Sequence, residues 1–191
     1  MVYNIVLSGV GGQGILTAAK VLGKAAMLNG LYGAVGEIHG LAQRGGSVIG
    51  FVRISENRIA STVPEGTADL LIAFEPLESL RYINYARKGT TFVVNEGKIV
   101  PVSANLGSTT YPPIEDIHKT LSSFGPCYMF DATSISKELG STIFVNSVML
   151  GKSASVLKSI LPVDCIKDAL LQSLPRDKER NIKAFEIGFN A

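Results

Sequence analysis

The sequence predicts an α/β fold, Rossmann-like, with a mostly parallel sheet flanked by helices and a helical C-terminal region. Three observations predict it. A short apolar run, Tyr3–Ser8, leads through the glycine-rich stretch Gly9–Gly14 into a helical pattern. Further short apolar and β-branched runs alternate with helical stretches, as a sheet covered on both faces requires. From Asn146 onward the apolar residues recur at helical spacing.

The elements follow in order. Tyr3–Ser8 reads as a buried strand ended by glycines, and Gly9–Gly14 as a tight turn. Ile15, Ala18, Ala19, Leu22, Ala25 and Ala26 set one face of a helix that stops at Asn29-Gly30. Leu31–Gly36 gives a second strand, so the opening reads as a βαβ unit, which crosses over right-handed. Ser47–Ser55 is a third strand, with Arg58–Thr62 expected beside it as a hairpin neighbour. Leu70–Phe74 is a buried strand. Pro76–Arg87 is a helix with proline in its first turn and Gly89 just past its end. Thr90–Asn95 is a further strand, and the polar stretch 96–113 reads as short strands and loop. Glu115–Ser123 (helix), Tyr128–Asp131 (strand) and Ala132–Leu139 (helix) come next. Three helices close the chain: Asn146–Ser159, Val163–Gln172 and Asp177–Phe189, parted by Pro162 and Pro175.

Bulk composition narrows the function. The 191 residues fit one domain, 1–191, long enough to bury a core without disulfides or metals. Hydrophobic residues reach 46% against 18% charged, a lightly charged surface that points to coverage by another subunit. A net charge of +2 with no lysine–arginine stripe gives no reason to expect nucleic acid. No apolar run is long enough for a membrane span, and no signal peptide opens the chain, so a soluble cytoplasmic protein is expected. Cys127 and Cys165 are too few for an iron–sulfur cluster or a zinc knuckle, and no metal site is expected.

Gly9-Val10-Gly11-Gly12-Gln13-Gly14 meets the G-x-G-x-x-G spacing between strand and helix. Its glycines admit positive φ and close approach, and the helix N-terminus behind them suits an anion. A dinucleotide site also needs a carboxylate at the end of the second strand. Glu37, twenty-three residues after Gly14, is the candidate, but His39-Gly40 follows it where a crossover helix is wanted. The same glycines would also serve simply to let helix and sheet pack closely. A second cluster, Glu37–Ser47, holds His39, Arg44, Gly45 and Gly46. Arg44 with the two glycine N–H groups could grip a phosphate or carboxylate, or pair with an acid on a neighbouring subunit. A structural or interfacial role is the better reading of His39. The strand-edge residues Asp69 and Asp131 read as caps or turn formers. No nucleophile elbow, P-loop or zinc-protease motif occurs, and no catalytic residue can be assigned.

Taken together, Gly9–Gly14, Glu37–Val48, Ala68–Arg81, Asn146…Met149-Leu150-Gly151 and Asn181…Ala184-Phe185-x-x-Gly188 resemble the small catalytic-domain subunit of 2-oxoacid:ferredoxin oxidoreductases over nearly the whole chain. The His39-Gly40-x-x-Gln43-Arg44-Gly45-Gly46 form is most similar to the indolepyruvate branch. The resemblance implies a subunit of a heteromeric complex, inactive alone, that oxidatively decarboxylates an aryl 2-oxoacid. The products would be an acyl-CoA, carbon dioxide and reduced ferredoxin. It also implies thiamine diphosphate, magnesium and 4Fe–4S clusters on a large α subunit, with ferredoxin served by the complex. Coenzyme A is the ligand it implies for Gly9, Gly11, Gly12, Gln13, Gly14, Arg44, Gly45 and Gly46. Two other readings stand beside it: a stand-alone NAD(P)- or flavin-binding oxidoreductase, and a non-catalytic assembly scaffold.

Overall fold

The computed structural model describes residues 1–39, 45–100, 110–174 and 176–191, with His39 described by its backbone alone. Among the described residues six strands form one sheet: β1 (Val2–Val10), β2 (Tyr32–His39), β3 (Ser47–Ser55), β4 (Ala68–Ala73), β5 (Ala86–Asn95) and β6 (Cys127–Phe130). Their order is β2-β3-β1-β4-β5-β6. Only β3 runs against the rest, antiparallel to both β1 and β2. The β1–β4, β4–β5 and β5–β6 pairs are parallel.

The period-2 alternation of strands divides the core between two faces. Ile5, Leu7, Leu70, Ile72 and Val93 point to one side, where α1 (Ile15–Leu28), α5 (Val145–Leu157), α6 (Val163–Ser173) and α7 (Lys178–Asn190) pack. Val6, Leu71, Phe92 and Val94 point to the other, under α2 (Pro76–Arg81) and α3 (Ile114–Ser122). Helix α4 (Ala132–Glu138) follows β6 directly, its N-terminus capped by the Asp131 carboxylate accepting from Ser134 N–H at 2.8 Å. Asp69 likewise serves the backbone, accepting from Asn4 N–H at 2.7 Å, while its other oxygen pairs with Arg87.

Three expectations need correction. The opening βαβ unit is not a pair of neighbouring strands: β3 inserts between β1 and β2, and the chain returns from β2 by an antiparallel connection. Arg58–Thr62 forms no strand, because both edges of β3 are already occupied by β1 and β2. Arg53 Nη1 holds that segment instead, donating to Ala60 O at 3.1 Å and Thr62 O at 3.3 Å. The helix from Pro76 ends at Arg81, well short of Arg87, and a single 3-10 turn at Ile83–Tyr85 leads into β5. Tyr85 turns onto Phe51, ring centroids 5.4 Å apart, and Ala86 pairs with Ala68, so the chain joins the sheet early. Gly89, at φ 90°, sits within the resulting irregularity of β5 and does not stop the helix.

The two C-terminal motif segments form one helix contact. A methyl group on Gly151 of α5 would fall 2.0 Å from Phe185 O, and one on Gly188 of α7 would fall 2.0 Å from Val148 O. Ser147 Oγ donates to the buried Asn181 Oδ1 at 2.6 Å across the same contact.

Candidate functional site

The turn after β1 is stitched in three directions. Gln13 N–H donates to Val10 O at 3.0 Å, and Val10 N–H donates to Gln13 Oε1 at 2.7 Å. Gln13 Nε2 then reaches Phe74 O at the end of β4, at 2.9 Å. Gly11 N–H donates to Gly46 O at 2.7 Å and Gly45 N–H to Gly11 O at 3.3 Å, which ties the turn to the segment entering β3. The structure therefore brings Gly9, Gly11, Gly12, Gln13, Gly14, Gly45 and Gly46 together. Arg44 lies outside the described residues, as do Gly40–Gln43 and the His39 side chain.

The glycines serve different needs. A methyl group on Gly9 would fall 2.7 Å from Gln13 Oε1 and 2.9 Å from Ile15 Cδ1, so this glycine makes room for packing. Gly14, at φ 77°, begins α1 and rests on Asn146. Gly12 is different: φ 105° calls for glycine, yet among the described residues nothing lies within 4 Å of where its side chain would be. Its outer face is open.

That face opens on a cleft of ≈ 740 Å³. The cleft lies beyond the carboxyl ends of β1, β5 and β6, beside the point where the chain order switches from one side of β1 to the other. Open α/β sheets bind ligands there. Lys98 follows β5 and Lys137 lies on α4, and both line the cleft. Two helices present N-termini to it, α1 at Gly14 and α5 at Val145 and Asn146. Helix α1 has no capping side chain and no acid in its first turn, so its N–H groups and partial positive charge are left for an anion, whereas α5 continues a 3-10 turn (Thr142–Phe144) capped by the Ser141 hydroxyl, with Val145 N–H donating to Thr142 O. Asp131 and Glu96 are the acids of the lining. Burial opposes ionisation of Asp131, but the Ser134 hydroxyl and N–H, the Thr133 N–H and the Lys137 charge outweigh it and hold its pKa below the ordinary carboxylate value.

Glu37 faces the turn across a shallower hollow of ≈ 410 Å³ that also meets Gly11, Gly12 and Gly14. It pairs with Gly50 of β3. With β3 standing between β1 and β2, this carboxylate lies one strand farther out than a ribose-binding acid on a neighbouring strand would.

A buried carboxylate braces the floor. Glu75 caps α2 by accepting from Glu78 N–H at 3.1 Å, and also accepts from Tyr111 Oη at 2.6 Å and Ile99 N–H at 3.2 Å. It thereby ties the loop leaving β5 to the end of β4. Burial, together with this bond to the Glu75 carboxylate, pushes the Tyr111 phenol well above its ordinary pKa. Sequence reasoning missed Lys98, Lys137 and Glu75. Their shared signal is position, immediately after strands or one turn into the helix that follows.

Among the described residues no three His, Cys, Asp or Glu side chains gather where they could hold a metal. No helix among them is long and apolar enough to cross a membrane.

Comparison with known proteins agrees with this geometry. The pyruvate ferredoxin/flavodoxin oxidoreductase family matches residues 4–191. The chain is 43% identical over 192 residues to the indolepyruvate oxidoreductase subunit IorB of Thermococcus kodakarensis, covering 99% of this chain and 95% of that one. It superposes with TM-score 0.72 and 25% identity on the keto/oxoacid ferredoxin oxidoreductase gamma subunit of Geobacter sulfurreducens, covering 98% and 96% of the two chains. The fold also recurs, at TM-score 0.75 and 19% identity, in a 2-oxoglutarate:ferredoxin oxidoreductase from Magnetococcus marinus solved with coenzyme A bound. There it spans 99% of this chain and 30% of that one. This chain belongs to the pyruvate ferredoxin/flavodoxin oxidoreductase family.

Proposed function

We propose that this chain is the small subunit of a heteromeric 2-oxoacid:ferredoxin oxidoreductase that converts an aryl 2-oxoacid, indolepyruvate in the first instance, to acyl-CoA and carbon dioxide while reducing ferredoxin. Its contribution is a coenzyme A-facing wall. Thiamine diphosphate, magnesium and the 4Fe–4S clusters reside on a large α subunit, which also meets ferredoxin, and the assembly is cytoplasmic. The two cysteines here, Cys127 on β6 and Cys165 on α6, are too few to ligate a 4Fe–4S cluster.

The observation that carries the coenzyme A role is the cleft. Lys98, Lys137 and the uncapped N-terminus of α1 supply positive charge for phosphate oxygens at the cleft, and Gly12 leaves backbone open to a ligand among the described residues. The Gln13 amide accepts from Val10 N–H and donates one N–H to Phe74 O, so this residue holds the shape of the turn at the edge of the cleft. The indolepyruvate assignment is supported by the names of relatives 37–43% identical over nearly the full chain.

The test is viologen dye reduction with indolepyruvate and coenzyme A, comparing this chain, the large subunit and their mixture. Activity in the mixture alone supports an obligate subunit. Full activity from the large subunit by itself leaves this chain a scaffold, which is the role the packed glycines Gly9 and Gly14 would serve.

A further inference from the structure

We infer that the pocket enclosed by α1, α5, α6 and α7 is a second ligand site, one that takes an aromatic α-amino acid. This pocket, ≈ 450 Å³, adjoins the cleft, and Ile143 and Asn146 belong to the walls of both. Its wall is largely apolar, with Phe144, Leu150 and Leu170 buried and Leu174 half-buried beside the polar Thr17 and Ser147. Its volume falls within the usual range of small-molecule sites.

The rim supplies both signs of charge. Arg176 and Asp177 line the mouth, are exposed, and form no ion pair with each other or with any other described residue. An unpaired cation and anion side by side over an apolar floor match a zwitterion carrying a ring. The carboxylate would face Arg176 and the ammonium Asp177, with the ring held among the leucines. A simple arylcarboxylate would meet only one favourable charge, and an arylalkylamine only the other.

The rim is fixed in place. Asn181, buried, donates through Nδ2 to Asp177 O at 3.0 Å and Arg176 O at 3.4 Å, while its Oδ1 accepts from Ser147 Oγ of α5 at 2.6 Å. In the pocket wall Asn146 Oδ1 is buried with no partner among the described residues.

The ligand class has a chemical bearing on the reaction. An aromatic amino acid is the amine counterpart of an aryl 2-oxoacid, and an amino-transfer reaction is the class that supplies the oxoacid from it. A site for the amine on this subunit would report the supply of substrate. That bearing rests on the aryl 2-oxoacid reading, whereas the site itself rests on the pocket alone.

Calorimetric titration of the full chain with L-tryptophan and L-phenylalanine tests the site, with tryptamine and indole-3-acetate as single-charge controls. Saturable binding of at least one amino acid is expected, with each control weaker by about ten-fold, the loss of one charge-assisted contact. Arg176→Gln and Asp177→Asn should each weaken amino-acid binding by about ten-fold without moving the thermal midpoint. Asparagine tolerates the left-handed backbone at 177 (φ 51°), so that variant keeps the rim geometry. No saturable binding, equal binding of the controls, or indifference to both substitutions overturns the inference. Titration of the same proteins with coenzyme A separates the two ideas: its failure to bind removes the cleft reading and leaves the amino-acid site standing.

Discussion

A methyl group on Gly14 would fall 2.2 Å from the Asn146 side-chain nitrogen, so the last glycine of the turn is a packing residue between α1 and the start of α5. Gly14→Ala meets two penalties, a left-handed backbone at φ 77° and a displaced Asn146 amide. Together they should cost about 2–4 kcal/mol in urea unfolding. Adding Asn146→Ala should recover the steric share and leave the backbone strain. No recovery would show that the amide is not the obstacle.

Gly12→Ala should behave otherwise. The φ of 105° resists the new side chain, which meets no neighbour among the described residues, so the stability cost is about 1–3 kcal/mol, from the backbone. Because the position borders the cleft, coenzyme A affinity should fall in the folded variant. A Gly12→Ala protein that binds coenzyme A as the parent does would place the ligand elsewhere.

Gln13→Leu removes the acceptor of Val10 N–H and one of two donors to Phe74 O, the other being Asn95 Nδ2 at 3.0 Å. Phe74 O keeps a partner and Val10 N–H loses its own, so the expected cost is that of one orphaned buried donor plus the lost bonds, about 2–3 kcal/mol. Chemical denaturation measures it. A loss below 0.5 kcal/mol or so would mean that water replaces the amide.

These residues show what the chain reveals before it is folded. The strand–turn–helix opening was legible, because glycine spacing and apolar periodicity are local signals. Ser47–Ser55 matched its strand residue for residue, since Gly45-Gly46 bound its start and the polar Glu56-Asn57 its end. The order of strands was not legible. Nothing local to Leu31–Gly36 says that β3 will insert beside β1, and the Arg58–Thr62 error followed from the same gap. Lys98 and Lys137 look like ordinary surface lysines until the sheet brings the ends of β5 and β6 to one crevice. The motif pair Gly151 and Gly188 was visible as spacing, while its meaning, two helices in backbone contact, needed the third dimension.

Cys127 should be slow to alkylate at neutral pH. Burial pushes its thiol up to about 11, against a smaller lowering by its hydrogen bond to Ser122. In a Cys165→Ser background, iodoacetamide labelling should rise only as the pH approaches that value. The sign for stability follows. A thiol raised in the folded state favours folding below its ordinary value near 9, and that contribution is lost as pH climbs through about 11. Rapid labelling at pH 7.5 would contradict the burial.

Lys98→Ala and Lys137→Ala should each weaken coenzyme A binding by roughly five- to ten-fold at low salt, the worth of one charge-assisted phosphate contact. The loss should shrink as ionic strength screens the remaining charges. Dephospho-coenzyme A offers a finer reading. A lysine that faces the 3′-phosphate should lose its effect with that ligand, while one that faces the diphosphate should keep it. Two alanine variants that bind coenzyme A as the parent does would remove these lysines from the site.

Gly188→Ala and Gly151→Ala test the α5–α7 contact, and the informative quantity is how they combine. Each methyl would lie 2.0 Å from a backbone carbonyl oxygen, Val148 O in one case and Phe185 O in the other, and backbone cannot swing aside as a side chain can. Each single variant should therefore cost about 1–3 kcal/mol, lowering the thermal midpoint by roughly 2–4 °C per kcal/mol for a chain of this size. Both substitutions force the same two helices apart, so the second meets a gap the first has opened. The double variant should then cost less than the sum, by about 0.5 kcal/mol or more. The separation would also strain the Ser147–Asn181 bond that pins the rim at Arg176 and Asp177. Strict additivity would mean that each methyl is absorbed locally and that α5 and α7 do not move as a pair.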